Sequence, residues 1–184
     1  MPPTYSPVSI CACSSLRRAS RAVSHLYDLV LAPTGLRISQ FLVLSAIAES
    51  REIAHCDLAR SFAASEETFS RRLASARKAG WVQMNIDGRR RRIYRLTETG
   101  LSLLRLAAPH WERAQERLRH QLGEKDWSAL VAFSERVCMA ATAAESLRIR
   151  NTNASPIESN PPASFDIPNL RPDSFPISPP VSDS

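Results

Sequence analysis

The densest chemistry in the chain lies at Asp87, Gly88 and the run Arg89, Arg90, Arg91 and Arg92. Guanidinium groups stay charged and present forked donors that match phosphate and carboxylate oxygens. Two readings of this run stand side by side. It is a set of phosphate contacts, with Arg91 alternatively folded back onto Asp87, or it is a solvated, positively charged turn. A second polar set lies upstream at Ser65, Glu67, Thr68, Ser70, Arg71, Arg72 and Lys78. It is threaded by Phe69, Leu73 and Ala76, which are spaced for the buried side of a helix. At about 100° per residue, Glu67, Arg71, Ala74 and Lys78 take the opposite side, while Arg72 flanks the core.

Thiol chemistry centres on Cys13, which shares a helical stripe with Leu16 and Ser20 and has Cys11 as a neighbour. A nearby cation such as Arg17 favours thiolate. The alternative is a cysteine packed as a small hydrophobe. Metal ligands need defined spacings. His55 and Cys56 are adjacent, Cys11 and Cys13 form too thin a pair, and His110 and His120 stand ten residues apart, so no metal site is expected. Neither a glycine-rich phosphate loop nor a nucleophile elbow is present. The expectation is a protein that is not an enzyme and needs no cofactor.

The elements that must position these residues follow from periodicity. Leu16, Ala19, Val23, Leu26, Tyr27 and Val30 mark a first helix that ends at Pro33 and Gly35. Ser39 is placed to cap a second, carrying Phe41, Leu44, Ile47 and Ala48. His55 to Ala63 forms a short third helix. Ser65, Glu66 and Glu67 open a fourth, where the dipole favours acids, and Gly80 closes it. Trp81 to Ile86 and Ile93 to Leu96 then alternate around Asp87-Gly88, which gives a β-hairpin with a basic tip. Thr97 caps a fifth helix through Leu104, Ala108, Trp111 and Leu118, with Pro109 placed to bend it. Glu124 to Leu147 is the sixth, with Trp127, Leu130, Val131, Val137 and Cys138 in line. Trp111, Trp127 and Phe133 are assigned to core or dimer contacts.

A short helix, a tight connection, a second helix with outward bases and an arginine-tipped hairpin make the winged helix-turn-helix plan. The expected fold is mainly α with a small β-hairpin wing and an α-helical dimerisation region. In that plan the fourth helix lies in a DNA major groove and the wing meets phosphates or the minor groove.

Specific residues then identify a likeness. Gly35-Leu36-Arg37-Ile38-Ser39-Gln40-Phe41, Asp57-Leu58-Ala59 and the stretch from Leu73 to Gly80-Trp81-Val82 are of one type. Above all, Asp87 to Arg92 is followed by Leu96-Thr97-Glu98-Thr99-Gly100. Over about residues 11–147 the chain resembles the MarR family of transcriptional regulators, whose wing carries Asp-x-Arg and then Leu-Thr-x-x-Gly. The resemblance implies a homodimer joined by the first, fifth and sixth helices, a pseudopalindromic double-stranded operator as partner, and release of DNA by a small-molecule effector or an oxidant. It places Arg89 at the minor groove and Asp87 as the residue that shapes the tip. The family's organic-hydroperoxide sensors carry their reactive cysteine at the position of Cys13 and steady it with two tyrosines. Tyr27 matches one of these, and Arg17 stands where the other would be. Glu66 and Glu67 depart from a purely basic helix start and raise phosphate repulsion. Glu67 has two ways to offset it, pairing with Arg71 or accepting from a cytosine amino group.

Composition agrees with this division. The chain has 184 residues, 24 Lys+Arg against 18 Asp+Glu, and a net charge of +6. Residues 60–95 hold 10 bases and 3 acids, a net of +7, so the rest is close to neutral. A localised basic lobe favours nucleic acid over diffuse adhesion to a membrane. Eight of thirteen Pro lie at or beyond Pro156, and Pro2, Pro3 and Pro7 crowd the other end. Residues 1–10 and the Pro/Ser-rich tail 148–184 are therefore expected to be disordered. A docking role for Phe165, Phe175 and Ile177 is the alternative for the tail. Between them, residues 11–147 form the domain, with helix-turn-helix and wing at about 53–96 and dimerisation helices at about 11–33 and 97–147. Lacking a charged and apolar leader, the chain is expected in the reducing cytoplasm. Two other functions share the same features: a winged-helix module whose basic wing meets an acidic protein, and a small thiol-dependent redox enzyme.

Overall fold

The structure, a computed structural model, describes residues 11–62 and 64–152, without the side chains of Thr68 and residues 144–152. The expectations for residues 1–10 and for the tail beyond 152 lie outside the described residues. The elements are α1 (Ala12–Leu31), α2 (Ile38–Ser50), β1 (Ile53–Ala54), α3 (His55–Ser61), α4 (Glu66–Lys78), β2 (Val82–Ile86), β3 (Arg92–Leu96), α5 (Glu98–Leu122) and α6 (Glu124–Thr152). The last helix thus continues five residues past the expected boundary at Leu147. The chain divides into two compact units, one reaching to Gln115 and the other beginning at Glu116. Among the described residues, no single helix is long and apolar enough to cross a membrane.

The first unit is built on α2. Phe41, Val43, Leu44, Ala46 and Ile47 are all buried there, and burying a side chain of this size contributes about 1.5–3 kcal/mol. The Phe41 ring stacks on Trp111 of α5 with centroids 5.7 Å apart. Leu104, Ala107, Ala108 and Ala114 complete the inward side of α5, which continues through Pro109.

The start of α2 corrects the expected Ser39 cap. Arg37 is the boundary residue, and its N–H donates to Gln40 Oε1 at 2.9 Å. The Ile38 N–H donates to the Asp28 carboxylate at 2.7 Å. An ionised acceptor carried by α1 satisfies an orphan donor that a serine would otherwise serve.

The sheet has three antiparallel strands in the order β1-β3-β2. In the hairpin Val82 faces Leu96 and Ile86 faces Arg92. Strand β1 adds Ile53 opposite Tyr94 and Ala54 opposite Ile93. The hairpin was legible in the sequence; β1 was not, because two residues are too few to show a period.

In the second unit, Gly123 turns the chain at φ 77°. The Arg119 guanidinium lies 5.5 Å from the Trp127 ring centre and 3.3 Å from Glu124. On α6, Leu130, Val131, Phe133 and Met139 are exposed.

Candidate nucleic-acid interface

Helix α4 presents the two faces its spacing predicts. Phe69, Leu73 and Ala76 are buried, and Glu67, Arg71, Ala74 and Lys78 are exposed. The Phe69 ring meets Phe62 at 5.2 Å. Beneath the first turn sits His55, 3% exposed, against Phe69 and Tyr94. Its Nε2 lies 3.1 Å from the Glu66 carbonyl and 3.1 Å from Ser70 Oγ. A carbonyl only accepts, so Nε2 carries the proton. The Ser70 hydroxyl, a candidate contact in the sequence, is therefore turned inward onto His55. Sequence reasoning passed over His55 in this role because its partners lie 11 and 15 residues away.

A tight joint connects the end of α4 to the wing and to α5. Gly80, at φ 75°, donates to the Arg77 carbonyl, and the Trp81 N–H donates to the Ala76 carbonyl. This is a Schellman ending, which needs the left-handed conformation that glycine adopts freely. Thr97 then ties both sides. Its hydroxyl donates to the Gly80 carbonyl at 2.6 Å and accepts from the Gly100 N–H at 3.1 Å. Its own N–H donates to the Trp81 carbonyl at 3.0 Å. Gly100 lies so close that a Cβ there would stand 2.1 Å from the Trp81 oxygen. The Leu-Thr-x-x-Gly pattern is thus a weld between wing and helix.

The wing tip is organised by Asp87. Its carboxylate accepts from the Arg89 N–H at 2.9 Å, from the Arg91 N–H at 2.8 Å and from Arg91 Nε at 2.8 Å. These bonds, led by the Arg91 N–H, hold the carboxyl below its ordinary range. A lowered carboxyl contributes stability above its ordinary value and loses it as pH falls through the lowered one.

The turn extends beyond the Asp87-Gly88 pair. The Arg90 N–H donates to the Asp87 carbonyl and the Asp87 N–H to the Arg91 carbonyl. The loop therefore holds three residues, Gly88 to Arg90, and the positive φ falls on Arg90 at 60°. Three-residue hairpin loops place their left-handed residue last. Replacing Arg90 with glycine should raise stability by about 0.5 kcal/mol, the left-handed cost outweighing glycine's extra chain entropy. Urea unfolding checks this, and a lowered midpoint would contradict it.

The structure sorts the basic lobe. Arg60 pairs with Asp57 at 2.9 Å, Arg91 with Asp87 at 2.8 Å, Arg92 with Glu66 at 3.6 Å, and Arg95 with Glu52. Among the described residues, Arg71, Arg72, Arg77, Lys78, Arg89 and Arg90 have no carboxylate partner, and all six are exposed. No ion pair joins Glu67 to Arg71 among the described residues. Arg77 was not among the expected contacts, although its exposed place in the last turn of α4 marks it. The Thr68 side chain lies outside the described residues. The exposed Ser65 lends its carbonyl to the Phe69 N–H at 3.0 Å, the first bond of α4.

Cys13 is exposed near the start of α1, one turn before Arg17. Tyr27 is on the same helix but 14 residues on, about 21 Å away at 1.5 Å per residue. Its buried hydroxyl donates to Gln115 Oε1, and burial pushes it up to about 12. Within one chain, then, the helix keeps Tyr27 and Cys13 apart.

No family model and no curated protein matches the chain. Solved structures do. The transcriptional regulator MosR of M. tuberculosis, in complex with DNA, matches with a TM-score of 0.67 and 30% identity, over 73% of this chain and 98% of MosR. The chain belongs to the MarR family. PcaV of Streptomyces coelicolor, solved with its natural ligand, has a TM-score of 0.67 and 18% identity, over 76% of this chain and 99% of PcaV. A mutant MarR from E. coli complexed with operator DNA has a TM-score of 0.64 and 19% identity, over 71% of this chain and 96% of that one. At these identities the last two extend the likeness of fold alone. In this MarR-family chain several of the residues that carried the resemblance stand in the joint and the tip: Gly80, Trp81, Asp87, Arg89, Thr97 and Gly100.

Proposed function

We propose that the chain is a homodimeric, sequence-specific DNA-binding repressor, released from its operator by a small ligand or an oxidant. The observation that carries this reading is the set of six exposed cations on α4 and the wing tip that have no carboxylate partner among the described residues. A major groove admits an α-helix, and α4 offers it Glu67, Arg71 and Lys78, with Ser65 just before the helix and Thr68 in its first turn as further candidates. Arg89 at the tip reaches the minor groove, while Arg90, Arg72 and Arg77 meet phosphates. Exposed Leu130, Val131, Phe133 and Met139 on α6, and Leu16, Leu29 and Leu106 elsewhere, favour a second copy as partner. MosR and the mutant MarR are complexed with DNA, and PcaV holds its natural ligand. The protein is read as a cytoplasmic regulator with no enzymatic activity and no cofactor.

Selection of bound sequences from a random duplex pool tests the function and supplies the operator. Binding should weaken steeply with salt. Failure to enrich any sequence, with capture of an acidic protein instead, would favour an interaction module.

The oxidant reading rests on the exposed Cys13 thiol beside Arg17. Peroxide should release the wild-type protein from DNA and leave a Cys13→Ser variant bound. Equal release of both would remove Cys13 as the sensor, and peroxide turnover with a thiol donor would favour the enzyme.

A further inference from the structure

Glu66 opens the helix proposed to read DNA, where a carboxylate is the wrong charge for a phosphate-lined groove. Its placement gives it another task. The carboxylate oxygen Oε2 lies 3.6 Å from Arg92 Nη2 and 3.9 Å from His55 Nε2. Both backbones behind the pair are fixed. The Glu66 carbonyl rests on buried His55 at 3.1 Å, and Arg92 is locked in β3 opposite Ile86. The two side chains are 59% and 44% exposed, and an ion pair so open to water adds little to stability. Holding the fold together is therefore not its main consequence. Its main consequence is electrostatic: an internal carboxylate sits where Arg92 would take a phosphate oxygen.

We infer that Glu66 acts as an intramolecular phosphate surrogate that keeps Arg92 out of DNA contact and so limits affinity. The inference rests on the DNA-binding reading above. A phosphate that approaches Arg92 must displace a carboxylate already in place and then remain beside it. The exchange trades one anion for another and releases no net counterion. Phosphate contact carries no sequence information, so the restraint applies to any duplex. It holds down non-specific binding, which this electrostatic contact almost wholly supplies.

The test uses the full chain and a random-sequence duplex, with binding measured over a range of salt. Glu66→Gln keeps the shape and the His55 contact, which is made by the main chain. It should tighten binding and steepen the slope of log K against log salt by about 0.9 per protomer, about 2 for a dimer. Arg92→Gln alone should flatten the slope less than the same change does in Glu66→Gln, and Glu66→Gln with Arg92→Gln should return to the wild-type slope. Matched unfolding midpoints show that all variants are folded. An unchanged slope in Glu66→Gln overturns the inference, as does Arg92→Gln flattening the slope equally with and without Glu66. If the wild-type chain binds no duplex at all, the DNA-binding reading fails and this inference falls with it.

Discussion

Replacing Gly100 with alanine should lower the unfolding free energy by about 2–4 kcal/mol. The sign is the informative part. Inside a helix, glycine to alanine ordinarily gains up to about 1 kcal/mol, and Gly100 lies in the first turns of α5. Here the added Cβ would stand 2.1 Å from the Trp81 oxygen and 3.0 Å from its carbonyl carbon. That carbonyl cannot retreat freely, because it accepts the Thr97 N–H at 3.0 Å. Nor can Thr97, whose hydroxyl bridges Gly80 and Gly100. Steric cost therefore exceeds the helical gain. The midpoint of urea unfolding measures it, and a midpoint equal to wild type or higher would refute the weld.

Arg89→Ala should weaken operator binding by about 1–3 kcal/mol per protomer, roughly 5- to 150-fold for each copy. Stability should stay within about 0.5 kcal/mol of wild type. The reason lies in what each part of Arg89 does. Its main-chain N–H helps hold Asp87 and survives the substitution. Its guanidinium has no carboxylate partner among the described residues and is exposed. Arg91→Ala is the contrasting case, since it removes the 2.8 Å pair with Asp87 and loosens the tip itself. A titration of the selected operator separates them. If Arg89→Ala binds as tightly as wild type, the wing is not a DNA contact.

Much of this was open to reading without coordinates. The buried side of α4, the hairpin, the Thr97 cap and the inward side of α5 all follow from period, caps and turn residues. These act between residues a few positions apart, so a linear string displays them. The tip organised by Asp87 was legible for the same reason, since its partners are two and four residues away.

What the string left open is what depends on distant residues meeting. Asp28 opens α2 across ten positions, and β1 exists only because Tyr94 and Ile93 lie beside it. The Tyr27 hydroxyl is committed to Gln115, 88 positions away. Most consequential is the sorting of the basic lobe. Ten bases could be counted in residues 60–95, but which of them face water alone could not. Coulomb attraction depends on separation in space, and only the folded chain brings Glu66 to Arg92 and Glu52 to Arg95. The sequence by itself determined that a basic helix and wing would form. Tertiary structure decided which of their charges remain free, because an ion pair is set by where two backbones place their side chains.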